Sequence, residues 1–111
     1  MKVVKYLKEA ERIQQGPGAF QSALISAKKD GSKNIISFMW ELDPGVTRPT
    51  HAHANEHGGI VIDGTGVIFN GKEKTQVTAG DVFYLGPQEP HEITNNGKTV
   101  FRYIFFNPVL N

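Results

Sequence analysis

Large apolar and β-branched residues occur in short runs punctuated by glycine and proline, a rhythm of strands and not of helices. Within Asn34 to Leu42, Ile36, Phe38, Trp40 and Leu42 alternate with Ser37 and Glu41, with Met39 between them, so one face of this segment belongs to a core. Phe20 to Lys28 is the strand before it, and the polar link Lys29-Asp30-Gly31-Ser32-Lys33 suits a hairpin turn. After the break at Asp43-Pro44-Gly45, Arg48-Pro49 leads into a histidine-bearing strand, where Pro49 favours an edge or a first position. Further strands are predicted over Gly58 to Ile62, Thr65 to Phe69, Glu73 to Thr78, Val82 to Leu85, His91 to Asn95 and Thr99 to Phe106. Turns fall at Asp63-Gly64, Asn70-Gly71, Ala79-Gly80-Asp81 and Asn96-Gly97, the two Asn-Gly pairs being competent for type I′ geometry. About nine short strands at this spacing predict an all-β domain, a sandwich or a small barrel. Helix is limited to a turn near Tyr6 to Gln15, which either lays Tyr6, Leu7 and Ile13 against the barrel or forms an irregular arm.

The 111 residues make one domain, large enough to bury a core unaided. Twelve basic and eleven acidic residues give a formal charge of +1 with no block of like charge, so neither nucleic acid nor an anionic membrane is an expected partner. There is no cysteine, which excludes disulfides, thiolate metal sites and a cysteine nucleophile. Met1 to Arg12 has no long apolar core, so neither a signal peptide nor an anchor is read there and a cytoplasmic location is the expectation.

One cluster changes the picture. All four histidines of the chain lie at His51, His53, His57 and His91, three of them within His51-Ala52-His53-Ala54-Asn55-Glu56-His57. On an extended strand His51 and His53 project from the same face, and a residue four further on can face them from the neighbouring strand. His91 follows Pro90 and opens another predicted strand. A single histidine is most often structural or merely exposed, but packing does not require every histidine of a chain to gather in this way. The expectation is one divalent ion bound by imidazole, drawn from Mn, Fe, Co, Ni, Cu and Zn.

Gly45, His51, His53 and Gly64 resemble the first motif of the cupin family, and Gly80, His91 and Asn95 resemble the second. His57 stands where that family usually has a glutamate ligand, while Gly86 and Gln88 replace the proline and second glycine of the second motif. The two stretches, residues 45–64 and 80–95, cover about a third of the chain. The resemblance is to small single-domain, RmlC-like cupins of the cupin 2 type with a four-histidine site. It implies a conical antiparallel β-barrel of double-stranded β-helix, or jelly-roll, type spanning residues 35–107 behind an N-terminal arm of residues 1–19. It also implies a metal near the wider end, with His51, His53, His57 and His91 as ligands, and a homodimer. Four neutral imidazoles would leave the site charge near about +2 and favour an anionic small-molecule partner. Glu56 is the alternative ligand if the register slips by one residue, although a slip reverses side-chain direction on a strand.

Gly64 and Gly80 are read as turn glycines, and Asn95 either as a cap before Asn96-Gly97 or as a support to the metal ligands. Arg102, Tyr103 and Met39 are candidates to face a ligand, Arg102 because a buried guanidinium needs an anion, the alternative being a solvated arginine. Among Glu56, Asp63 and Glu92 as general bases, Glu56 is the one worth testing; the catalytic candidates are therefore Glu56, Arg102 and Tyr103. The apolar last strand suits burial on both faces, one of them by a partner subunit. The function expected is a mononuclear metalloenzyme of dioxygenase, isomerase or decarboxylase type acting on a small organic acid or sugar derivative. The alternative is a non-catalytic, metal-dependent module that binds or senses a small ligand.

Overall fold

The structure, a computed structural model, describes residues 1–52 and 54–108. It is all-β apart from two short helical turns, α1 (Tyr6–Glu9) and α2 (Ala27–Asp30). The strands are β1 (Ile13–Gly16), β2 (Ala19–Ile25), β3 (Ile35–Leu42), β4 (Thr47–His51), β5 (His57–Asp63), β6 (Thr65–Phe69), β7 (Lys74–Thr78), β8 (Val82–Leu85), β9 (His91–Thr94) and β10 (Phe101–Pro108). Two antiparallel sheets face each other in jelly-roll order, β1-β2-β3-β10-β5-β8 and β4-β9-β6-β7.

The inward face of the larger sheet is built in cross-strand rows. Leu42 pairs with Phe101, Trp40 with Tyr103, and Phe38 with Phe105, each row one step nearer the histidines. Phe105 and Tyr103 meet edge to face at 5.3 Å, and Phe83 meets Phe105 in the same way at 5.3 Å. A side chain at Gly59 would strike the Phe83 ring, so a glycine is what allows β8 to lay that ring over β5. Ile68, Val77 and Ile93 close the core from the smaller sheet. Each such fully buried side chain contributes about 1.5–3 kcal/mol.

Local chemistry overrides the expected shape in three places. The β2–β3 link is not a tight hairpin. Ser26 ends β2 by accepting a hydrogen bond from the Lys29 N–H, Asp30 accepts one from the Ser26 N–H, and Gly31 closes α2 in the left-handed region. Asn96-Gly97 forms no type I′ turn, since neither residue has positive φ. Instead Asn95 directs the chain: its fully buried amide donates to the carbonyls of Leu42 and Thr99 and accepts from the Gly97 N–H. At the N-terminus, Ile13 starts β1 on the sheet edge and stays exposed, as does Leu7, so neither makes the contact with the barrel that a helical turn laid against it would have given them.

Both faces of β3 are covered: Met39 and Glu41 are buried opposite Trp40 and Leu42. β4 is an edge strand, the place where Pro49 costs no ladder hydrogen bond. Among the described residues no helix is long and apolar enough to cross a membrane.

Candidate functional site

β4, β5 and β9 each bring a histidine to the space between the sheets. His51 and His91 are cross-strand partners at the ends of β4 and β9, and His57 opens β5. The imidazole Nε2 atoms of His51 and His91 lie 3.0 Å apart, and the His57 and His91 ring centroids are separated by 4.9 Å. His91 is fully buried and His57 nearly so. His53, the fourth predicted ligand, lies outside the described residues, and among those described no three metal-ligating side chains converge closely enough to define an ion site by themselves.

The backbone assigns the imidazole tautomers. His51 Nδ1 lies 3.0 Å from the Pro49 carbonyl oxygen, His91 Nδ1 3.1 Å from that of Glu89, and His57 Nδ1 3.4 Å from that of Asn55. A carbonyl oxygen only accepts, so each Nδ1 is the donor and each neutral ring presents its Nε2 lone pair inward. Two lone pairs 3.0 Å apart repel unless a proton or a cation lies between them. A donor set of Nε2 atoms fixed from behind by backbone carbonyls is what a divalent transition ion requires, so the residues fit such an ion. Burial above all lowers the His57 pKa, with the charges of His51 and Arg48 adding to it against the raising effect of the Asn55 carbonyl, which keeps this ring neutral and able to ligate.

Arg48 completes the group, and the alternation of the sequence hides it. Arg48 and His51 are three residues apart and should face opposite ways, yet Arg48 pairs with Ile93 and His51 with His91, three steps on β4 against two on β9. The extra residue is a β-bulge beside Pro49, and it turns both side chains inward. The guanidinium lies 3.5 Å from the Trp40 ring centroid, donates to the Tyr103 hydroxyl at 3.2 Å, and brings Nη2 to 3.5 Å from His51 Nε2. Tyr103 is the fully buried floor beneath it. Burial holds the phenol pKa up to about 12, although Arg48 pulls it down, so the hydroxyl remains protonated.

A cavity of about 160 Å³ joins these groups, lined by the three histidines, Arg48, Trp40, Phe38, Phe105, Gln21 and Asn107. A cleft of about 420 Å³ between the β1–β2 hairpin and β4 adjoins it, with Trp40, Arg48 and His51 common to both. A recess of about 330 Å³ on its other side shares His57 and Asn107.

The remaining candidates are held elsewhere. Arg102 donates to Glu41 and to Asp63, and Glu41 also accepts from Arg12 at 2.8 Å, so the anion that this guanidinium needs comes from the chain itself. Met39 is buried on the same side of the sheet, away from Trp40. Glu56 is exposed and accepts a 2.6 Å hydrogen bond from Tyr84. Glu92 accepts from Thr50, and Glu89 accepts from the Gly86 N–H and the Asn70 amide.

Residues 38–107 match the cupin domain family (Cupin_2), and the chain belongs to that family. The fold is similar to the polyketide cyclase RemF from Streptomyces resistomycificus, with a TM-score of 0.85 and 23% identity over 97% of this chain and 79% of that one. It is also similar to a predicted oxalate decarboxylase from Thermotoga maritima, with a TM-score of 0.81 and 25% identity over 98% of this chain and 100% of that one. A stretch of 57 residues, 51% of the chain, is 35% identical to (S)-ureidoglycine aminohydrolase of Arabidopsis thaliana; it spans only 19% of that protein.

Proposed function

We propose that this cupin binds one divalent transition ion through His51, His53, His57 and His91 and acts as a metalloenzyme on a small organic acid or acidic sugar derivative. One observation carries the reading: backbone carbonyls fix the rings so that His51 and His91 turn Nε2 toward Nε2 at 3.0 Å, with a guanidinium 3.5 Å away. A bound ion would supply Lewis acidity, and redox chemistry as well if it is iron, manganese or copper. Arg48 supplies the attraction for a carboxylate, Trp40 and Tyr103 hold the guanidinium in place, and Phe38 and Phe105 keep the cavity wall dry. The size of the cavity suits a small acid better than a drug-sized molecule. Similarity to a predicted oxalate decarboxylase supports the acid, and dioxygenase, isomerase and decarboxylase chemistry are all compatible with this donor set.

The second reading, a module that binds its acid without turnover, is favoured by the carboxylates. Glu56, Glu89 and Glu92 are each engaged in hydrogen bonds outside the cavity lining, which leaves Tyr103 as the described proton-bearing group nearest Arg48. The implied homodimer would use the outer face of β8, β5 and β10, where Val82, Ile60, Tyr84 and Phe106 stand exposed side by side.

Elemental analysis of protein purified without added metal, followed by oxygen-uptake and product screens with organic acids, tests the proposal. About one equivalent of a transition metal, lost in His91→Ala, is expected. Protein that retains no metal and does not take up added zinc, manganese or iron would refute the metal site.

A further inference from the structure

Most polar groups along the inner wall have partners, but one near the end of β10 does not. Asn107 lies near the end of β10, opposite Ile36, and lines both the histidine cavity and the recess beside it. Its side-chain oxygen Oδ1 is buried and has no hydrogen-bond partner among the described residues. A stranded acceptor of this kind costs folding free energy, so it points to a donor that arrives with a ligand.

The cavity is polarised along β10. Arg48 and Gln21 belong to one end, in the row of Trp40 and Tyr103, and Asn107 belongs to the other, two rows further along β10. Between the ends lie the histidines and the apolar rings of Phe38 and Phe105. A ligand that satisfies both ends is anionic at one and donates a hydrogen bond at the other. Four residues separate the two rows, about 13 Å of strand, and a hydrogen bond at each end covers about 3 Å of that span.

We propose that Asn107 is the specificity-determining residue of this cavity: its Oδ1 accepts a hydrogen bond from a hydroxyl or ammonium group on an acid whose carboxylate is held at Arg48. The substrate class is thereby a hydroxy- or amino-substituted carboxylic acid, distinguished from the unsubstituted acid of the same length. The inference rests on the proposed reading of the cavity as an acid site. A site with a buried polar group to satisfy discriminates strongly against an analogue that leaves that group unpaired.

The test is ligand binding, with no need of turnover. Propanoate, butanoate, pentanoate and hexanoate are compared with their ω-hydroxy and ω-amino counterparts by calorimetry or ligand-detected NMR, with and without one equivalent of zinc. At the best-fitting length the hydroxy acid is expected to bind about tenfold more tightly than the parent, a difference of ~1.4 kcal/mol. Asn107→Leu should abolish that preference, read as the ratio of hydroxy-acid to parent-acid affinity in the same protein. Asn107→Asp, which retains an acceptor and loses the donor, should keep the preference for the hydroxy acid and increase that for the amino acid. Melting curves confirm that both variants are folded, and the aspartate variant alone decides the matter if the leucine variant is not. Equal binding of parent and hydroxy acids at every length, or a preference that Asn107→Leu leaves intact, overturns the inference. Zinc titration reads the metal proposal separately: a preference that depends on Asn107 in zinc-free protein supports the inference even if zinc does not bind.

Discussion

Replacing Arg48 with methionine should tighten metal binding and weaken acid binding at once, and the opposite signs make the experiment decisive. The guanidinium stands 3.5 Å from His51 Nε2, so a divalent charge held by that nitrogen lies within about 6 Å of it. The repulsion between them is about 1.4 kcal/mol at the dielectric of water and about 5.5 kcal/mol at an effective value of 20. Arg48 and His51 are only half-buried, which places the effect near the lower figure, or about tenfold tighter zinc. The loss on the acid side is that of a charge-assisted hydrogen bond, about 1.5–3 kcal/mol, so butanoate should bind about ten- to a hundredfold more weakly. Arg48→Lys keeps the charge but loses the planar contact with Trp40, and should recover part of the acid affinity while leaving zinc near the wild-type value. Competition with a chromophoric chelator reads zinc, and calorimetry on the zinc-loaded protein reads butanoate. If Arg48→Met weakens zinc, or leaves butanoate binding unchanged, the guanidinium is a structural prop and the argument from its position is wrong.

Other perturbations address the remaining parts. His57→Ala should reduce zinc affinity by at least about a hundredfold, whereas Glu56→Ala, which removes only a surface partner of Tyr84, should change it less than about threefold; the reverse order in the same chelator assay would make Glu56 the ligand. Because burial lowers the His57 pKa, the unfolded chain takes up a proton more readily than the folded one below the ordinary histidine value of about 6.5. The metal-free protein should therefore hold its full stability above that pH and lose it as the pH falls toward the depressed value, and urea midpoints that are flat from pH 7.5 to 5 would contradict this. Asn95→Ala strands the carbonyls of Leu42 and Thr99 inside the fold and should cost about 3 kcal/mol, a fall in Tm of about 15 °C. A loss below about 1 kcal/mol in a urea titration would show that water replaces the amide.

The strands and the histidine pair were legible in the sequence because their signal is local. Thr65–Phe69 and Val82–Leu85 end where the sequence places them, since glycine-bearing turns flank them and the runs are short. The β2–β3 link was not legible, because Ser26 and Asp30 form a reciprocal cap on a helical turn that an Asp-Gly hairpin signal conceals. Asn95 caps the Asn96-Gly97 turn, one of the two roles that its place in the sequence allows, but its reach to Leu42, 53 residues away in sequence, depends on the sheets meeting. Asn107 falls one residue beyond the last strand as predicted from apolar content, because β10 runs on to Pro108 by pairing with β3, whatever the polarity of its own residues.

Arg48 shows most plainly what a period-two reading loses. Alternation assigns His51 and His53 to one face and therefore sends Arg48 to the other. That inference holds only while every residue of β4 has a partner on β9, and Pro49, which has no N–H to give to a ladder, marks where the pairing fails. With one residue left over, the strand turns by a half-period and the arginine comes to lie beside the histidine whose face it should have opposed. The charge that would select an anion therefore reaches the site through a defect in the ladder. A proline between two polar residues of odd spacing, on an edge strand next to a ligand cluster, is the sequence mark of such a defect.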